Sequence, residues 1–218
     1  MHLKENRTYY FSVEGETEQW YLEWLQQLIN NDRTAKYTVK LDSKVQKDPL
    51  ARAKQLTIIG KTEITHICDY ESEEPIHVQQ FKTTLDRMKA AQNSGKDIKY
   101  QLGYSNFTFE LWIIIHKTDC NGALTHRRQY LAPLNTAYDQ QFESLEQYKH
   151  ENNFKHILGR LTLDNVRNAI QRSKVIMQRN QEACYILQQY KRYKYYKENP
   201  ALSIWESIEK ILKECELL

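Results

Sequence analysis

The apolar residues in the first half of the chain switch repeatedly between two periods, and this switching constrains the fold more than any other feature. Thr8–Val13 (TYYFSV) is β-branched and aromatic, reads as a strand, and stops at Glu14-Gly15. Thr17 then caps a helix whose apolar positions, Trp20, Tyr21, Trp24, Leu25, Leu28 and Ile29, recur at helical spacing. Tyr37–Leu41 alternates like a short strand, Leu50–Leu56 reads as a helix, and Ile64–Cys68 (ITHIC) is a strand that stops at Asp69. Pro75 opens a helix running to Ala91, because the N–H it lacks has no helical partner in a first turn. Ile98–Leu102 is a fourth strand, closed by Gly103. Strands and helices in alternation predict an α/β fold with a parallel sheet covered by helices. Thr108–His116 (TFELWIIIH) reads equally as a buried strand or a buried helix.

The second half does not alternate. Asp164–Leu187 carries Val166, Ile170, Met177, Cys184 and Leu187 at helical spacing behind a capping Asp164. Asn199-Pro200 breaks the chain, and Ser203–Leu217 sets Trp205, Ile208, Leu212 and Cys215 on one helical face. The change of character falls near Lys117–Gly122, which divides the chain into an α/β domain (1–117) and a wholly helical C-terminal region (118–218) packed on it. Only six Gly and four Pro in 218 residues agree with long helices and few corners, and argue against a turn-dense sandwich or barrel. With 40% hydrophobic and 27% charged residues the chain buries a core, which excludes overall disorder. Four cysteines, at 68, 120, 184 and 215, form no C-x-x-C and no zinc-type spacing, so buried reduced thiols are expected. No apolar run approaches the ~20 residues that span a bilayer. Lys4, Glu5 and Arg7 lead straight into the first strand, without the charged-then-apolar order of a signal peptide. A cytoplasmic protein with no membrane association is the expectation.

Two strands end in acid, and ligand chemistry in open α/β sheets collects beyond the carboxyl ends of strands. The first strand delivers Glu14, then Gly15 for the turn, then Glu18 within the first helical turn; the second delivers Asp69 and, two residues on, Glu71. Adjacent parallel strands would bring these four carboxylates to one crevice. Hard divalent cations such as Mg²⁺ and Mn²⁺ take oxygen ligands of this kind, and a site so loaded clamps the oxygens of a phosphodiester. The plain alternative is that acids at a helix N-terminus complement its dipole and that an Asp after a strand makes a turn. Glu16, Glu73 and Glu74 read as solvated surface.

The residues also resemble a known family. V-E-G-x-T-E followed by an aromatic pair (Val13–Glu18, Trp20-Tyr21), a strand ending in D-x-E, and S-N-x-x-F-E-L-W-x-x-x-H (Ser105–His116) are similar to the RloB family, Toprim-like proteins found beside restriction and abortive-infection genes. An A-I-x-x-[SA]-K stretch (Ala169–Lys174) and an N-P-x-x-S/T ending (Asn199–Ser203) extend the likeness over nearly the whole chain. The resemblance implies a Toprim, Rossmann-like fold and a Mg²⁺ or Mn²⁺ site, with Glu14 as the first acid and Asp69 and Glu71 as the pair. Glu18 matches a further metal-holding Glu of the related overcoming-lysogenization-defect nucleases. Departures are Phe107 and Thr108 where the family commonly has Pro and Cys, and Glu71 where Toprim proteins commonly have Asp. The likeness makes Phe107–His116 a helix after a Ser105-Asn106 turn. Glu110 then stands near the crevice as a second-ion ligand, an orienting group or a cap, and His116 reads as a core histidine.

Tyr185–Lys197 (YILQQYKRYKYYK) interleaves five tyrosines with four basic residues at the expected end of a helix. Lys191, Arg192 and Lys194 are candidate phosphate contacts beside rings that stack on unpaired bases; packed rings and solvated lysines are the plain alternative. Arg127, Arg128, Ser105 and Asn106 are thinner nucleic-acid candidates, and Lys149 is a candidate for stabilising transition-state charge. The net charge of +3 is too mild to identify a nucleic-acid binder. The expected function is a divalent-metal-dependent nuclease acting on DNA or RNA, tRNA included, in bacterial antiphage defence. The alternative is a nucleic-acid-binding subunit, non-catalytic or activated by an ATPase encoded nearby, and a homo-oligomer fits either reading. Nucleotidyl transfer as in primases fits less well, since no extra nucleotide-binding motif is visible.

Overall fold

A computed structural model describes residues 4–122 and 124–218. The N-terminal part alternates as expected: β1 (Asn6–Val13), α1 (Glu16–Asn31), β2 (Thr38–Val45), α2 (Pro49–Gln55), β3 (Thr62–Tyr70), α3 (Pro75–Ala91) and β4 (Ile98–Asn106). After α4 (Glu110–Ile114), a 3₁₀ turn at Arg127–Tyr130 leads to α5 (Leu131–Tyr138). Then come α6 (Leu145–Tyr148), α7 (Glu151–Gly159), α8 (Leu163–Glu182), a hairpin of β5 (Gln188–Tyr190) and β6 (Tyr193–Tyr195), and α9 (Ile204–Glu214).

The four long strands form one parallel sheet in the order β2-β1-β3-β4. A parallel sheet is apolar on both faces because helices cover both. Phe11, Val13 and Ile67 face α1, α4 and the helices of the second half, while Ile64, Cys68, Tyr70, Tyr100, Leu102 and Tyr104 face α2 and α3. The first of these cores continues without a break through Tyr130, Leu134, Phe154, Ile170, Ile208 and Leu212, so both halves of the chain contribute to it.

Several boundaries differ from the sequence reading, each for a local reason. The cap of α1 is Gly15, and Thr17 lies inside the first turn, where its hydroxyl donates to Glu18. Thr162 caps α8 in a reciprocal bond with Asn165, leaving Asp164 to pair with Arg167 at 2.6 Å. Gly103 does not end β4; it lies mid-strand, where a Cβ would sit 3.2 Å from Thr65 Cγ2. Ser105 and Asn106 are the last strand residues rather than a turn, paired with Asp69 and Tyr70 of β3. The turn comes at Phe107 (φ 62), a backbone angle closed to proline, and the helix that follows is only five residues long. The C-terminal region is helical apart from the β5–β6 hairpin, which occupies the stretch expected to end a helix. Cys68, Cys120 and Cys215 are buried and unpaired; Cys184 is exposed. Among the described residues no helix is long and apolar enough to cross a membrane.

Candidate functional site

In a sheet ordered β2-β1-β3-β4 the chain leaves β1 toward one edge and then returns to build on the other side. The connections after β1 and β3 therefore diverge and leave a crevice at the carboxyl ends of these strands. Glu14 follows β1 directly and Asp69 is the penultimate residue of β3. The register that pairs Val13 with Ile67 brings them together, and Glu14 Oε2 accepts the backbone N–H of Asp69 at 3.3 Å. Glu71 lies 3.3 Å from His77 Nε2, whose Nδ1 is 2.7 Å from Ser72 Oγ. Glu14, Asp69, Glu71 and His77, with Gln80, Phe81 and Thr84 of α3, line a cavity of about 50 Å³. A larger groove of about 790 Å³ shares Glu14 and Glu71 with it and adds Lys47, Ile76, Gln79 and Thr83.

The inner wall of the crevice is built from more distant parts of the chain. Glu18 is buried in the first turn of α1, its carboxylate folded back over Gly15. A Cβ on Gly15 would stand 2.9 Å from Glu18 Oε2, so the missing side chain makes room for this acid. Glu110 opens α4 with no exposure at all and accepts from the Thr108 hydroxyl. Lys149, immediately after α6, holds its ammonium 3.2 Å from Glu110 Oε1.

Burial and mutual repulsion together set the electrostatics. Burial raises the Glu14 carboxyl to about 7, opposed by the Asp69 N–H and reinforced by the charges of Glu18 and Glu71. Burial, then Glu110, raises Glu18; burial, then Glu18 and Glu14, raises Asp69 well above the ordinary range. Burial works against the Lys149 charge, but Glu110, Asp69 and Glu18 outweigh it and raise its pKa. One ammonium among several buried acids leaves the cluster short of positive charge. Among the described residues no three His, Cys, Asp or Glu side chains stand in a ready-made metal-holding arrangement. The donor set still fits a hard divalent cation, because it offers carboxylate oxygens beside a small cavity and each raised carboxyl gains from a neighbouring cation.

The fold thus brings Glu14, Glu18, Asp69, Glu71, Glu110 and Lys149 to one crevice, and sets the other candidates elsewhere. Ser105 and Asn106 are buried, which does not suit the nucleic-acid contact expected of them; the Asn106 amide instead donates to the carbonyls of Lys197 and Glu198. In the hairpin segment Tyr193, Tyr195 and Tyr196 are buried against the sheet, not stacked outward. There Lys191 pairs with Asp86 at 3.5 Å, Arg192 donates to the Tyr100 carbonyl, and Lys194 is exposed. Arg127 and Arg128 are exposed and line a separate concavity with Glu143 and Glu146. His116 is a core histidine, 3.1 Å from the Tyr21 hydroxyl and 2.8 Å from the Trp112 carbonyl, and burial lowers its pKa to about 3.

Sequence reasoning missed His77. Its signal was available, since it stands in the first turn of the helix that follows D-x-E. Tyr148, whose buried hydroxyl has no hydrogen-bond partner among the described residues and lies within electrostatic reach of Glu110 and Glu18, carried no such signal.

Strand order and acid placement define an open α/β protein with a carboxylate-lined crevice at its topological switch point. The chain belongs to the RloB-like protein family, whose model matches residues 9–211. No curated protein and no solved structure matches it.

Proposed function

We propose that this protein is a divalent-metal-dependent nuclease that hydrolyses phosphodiester bonds of DNA or RNA, tRNA included, in bacterial antiphage defence. The observation that carries the reading is the convergence of Glu14 and Asp69, from two adjacent parallel strands, on a cavity that Glu71 also lines. Mg²⁺ or Mn²⁺ held by Glu14, Asp69 and Glu71, with Glu18 and Glu110 behind them, would neutralise charge on the scissile phosphate. Glu14 or the held ion would activate the attacking water. Asp69 positions that carboxylate through its backbone N–H. The groove along α3, with Lys47 at its edge, gives the substrate strand a path to the acids.

The test is a cleavage panel of single-stranded, duplex and transfer nucleic acids with Mg²⁺ or Mn²⁺. Cleavage that requires the metal and is lost in Glu14→Ala and Asp69→Ala is expected; equal cleavage by wild type and variants sinks the assignment. The second reading, a nucleic-acid-binding subunit that turns over only with an ATPase partner or not at all, draws on the lack of a ready-made metal arrangement among the described residues. Cleavage that appears only on adding a neighbouring ATPase supports it. Cytoplasmic residence and homo-oligomer formation complete the proposal.

A further inference from the structure

We propose that Lys149 is the chain's own cation for the inner half of the acid cluster, so that the crevice takes a single divalent ion, on the side of Glu14, Asp69 and Glu71. The inference rests on the metal reading above and goes beyond it by assigning ion number and the residue that sets it.

The Glu110 carboxylate is wholly buried: one oxygen accepts from the Thr108 hydroxyl, and the other, which has no hydrogen-bond partner among the described residues, is met by the Lys149 ammonium at 3.2 Å as an ion pair. A buried carboxylate is tolerated when it is paired, and here the ammonium takes the place beside Glu110 that a second cation would occupy. Lys149 is also held in place. Its backbone N–H donates to the Leu145 carbonyl at 2.9 Å, and the preceding Tyr148 is buried with its ring 5.5 Å from that of Phe154 and 5.8 Å from that of Phe142. An ammonium is a compact point charge with three donors, suited to sit among several carboxylates. The outer half has no such close partner: Lys47 lines the groove with Glu14, but among the described residues Glu14 and Asp69 form no ion pair with a lysine or arginine, and Glu71 pairs only with His77. The outer acids border the cavity; Glu18, Glu110 and Lys149 do not. One end of the cluster is therefore filled by a side chain and the other opens to solvent.

Manganese titration of the full-length protein, counted by electron paramagnetic resonance, tests this without reference to cleavage. Wild type is expected to bind one Mn²⁺ per chain, Lys149→Arg to keep that count, and Lys149→Met to gain a second ion. The second ion should vanish in the Lys149→Met/Glu110→Gln double variant. That double variant removes both members of the buried pair, so it also serves if Lys149→Met alone does not fold: a folded double variant binding one ion supports the proposal. Two ions in wild type, or an unchanged count in folded Lys149→Met, overturn it. No ion in wild type overturns the metal reading itself and this inference with it, an outcome distinct from a count of two.

Discussion

Glu14 favours the folded chain at low pH and opposes it at high pH. Its carboxyl titrates at about 7 in the folded chain against 4.5 in the open one, so the folded state holds the proton more tightly. Stability associated with this group is present below pH 4.5 and is lost as pH rises through 7, where a partly buried carboxylate must ionise. Without metal, Glu14→Gln is therefore expected to stabilise the protein at pH 8 by about 1–3 kcal/mol and to change little at pH 4. Urea unfolding at the two pH values measures this, and an equal effect at both would refute it. Saturating Mg²⁺ should reverse the ranking at pH 8, since only wild type then gains fully from ligand linkage. At this scale Glu14, Glu18, Asp69 and Glu71 were legible because strand-terminal acids announce themselves locally. The contact between Glu110 and Lys149 was not, because no periodicity links positions so far apart in the chain.

Among the elements, the four sheet strands and α3 were readable from period and punctuation. The ends of β3 and β4 were not. Their ladder continues through Asp69–Ser105 and Tyr70–Asn106, past the point where the apolar runs stop, because tertiary pairing outlasts local propensity. The hairpin had a signal that was given another meaning: Tyr193 and Tyr195 point inward with Lys194 outward, a period of two inside a segment taken for a helix end. Tyr195 meets Tyr70, Phe81 and Tyr104 with ring centroids 5.6, 4.9 and 6.3 Å away. Tyr195→Ala is expected to destabilise the fold by about 3–5 kcal/mol, as large aromatic truncations in cores do. Lys194→Ala, on the outward side, should stay within about 0.5 kcal/mol. Chemical denaturation of the two variants decides whether the hairpin is a packing element; similar small losses would contradict the buried role of its rings.

At the scale of the whole molecule, one apolar core joins α1, α4 and the sheet to the helices of the second half. Trp112, Ile113, Ile114 and Ile115 are fully buried in it, and a fragment of residues 1–117 would expose them to water. That fragment is expected to lack a cooperative thermal transition, in contrast to the full chain; a sharp transition with dispersed amide resonances would show that it folds alone. The modest excess of 31 basic over 28 acidic residues proved less informative than where the acids stand.

The arrival of Lys149 from beyond the sheet has a consequence for synthesis. A ribosome that has released the strands and α4, but not yet α6, holds every carboxylate of the crevice without its ammonium. Such a nascent chain, or one cut short by a premature stop codon, carries the acids of the site but not its finished charge balance.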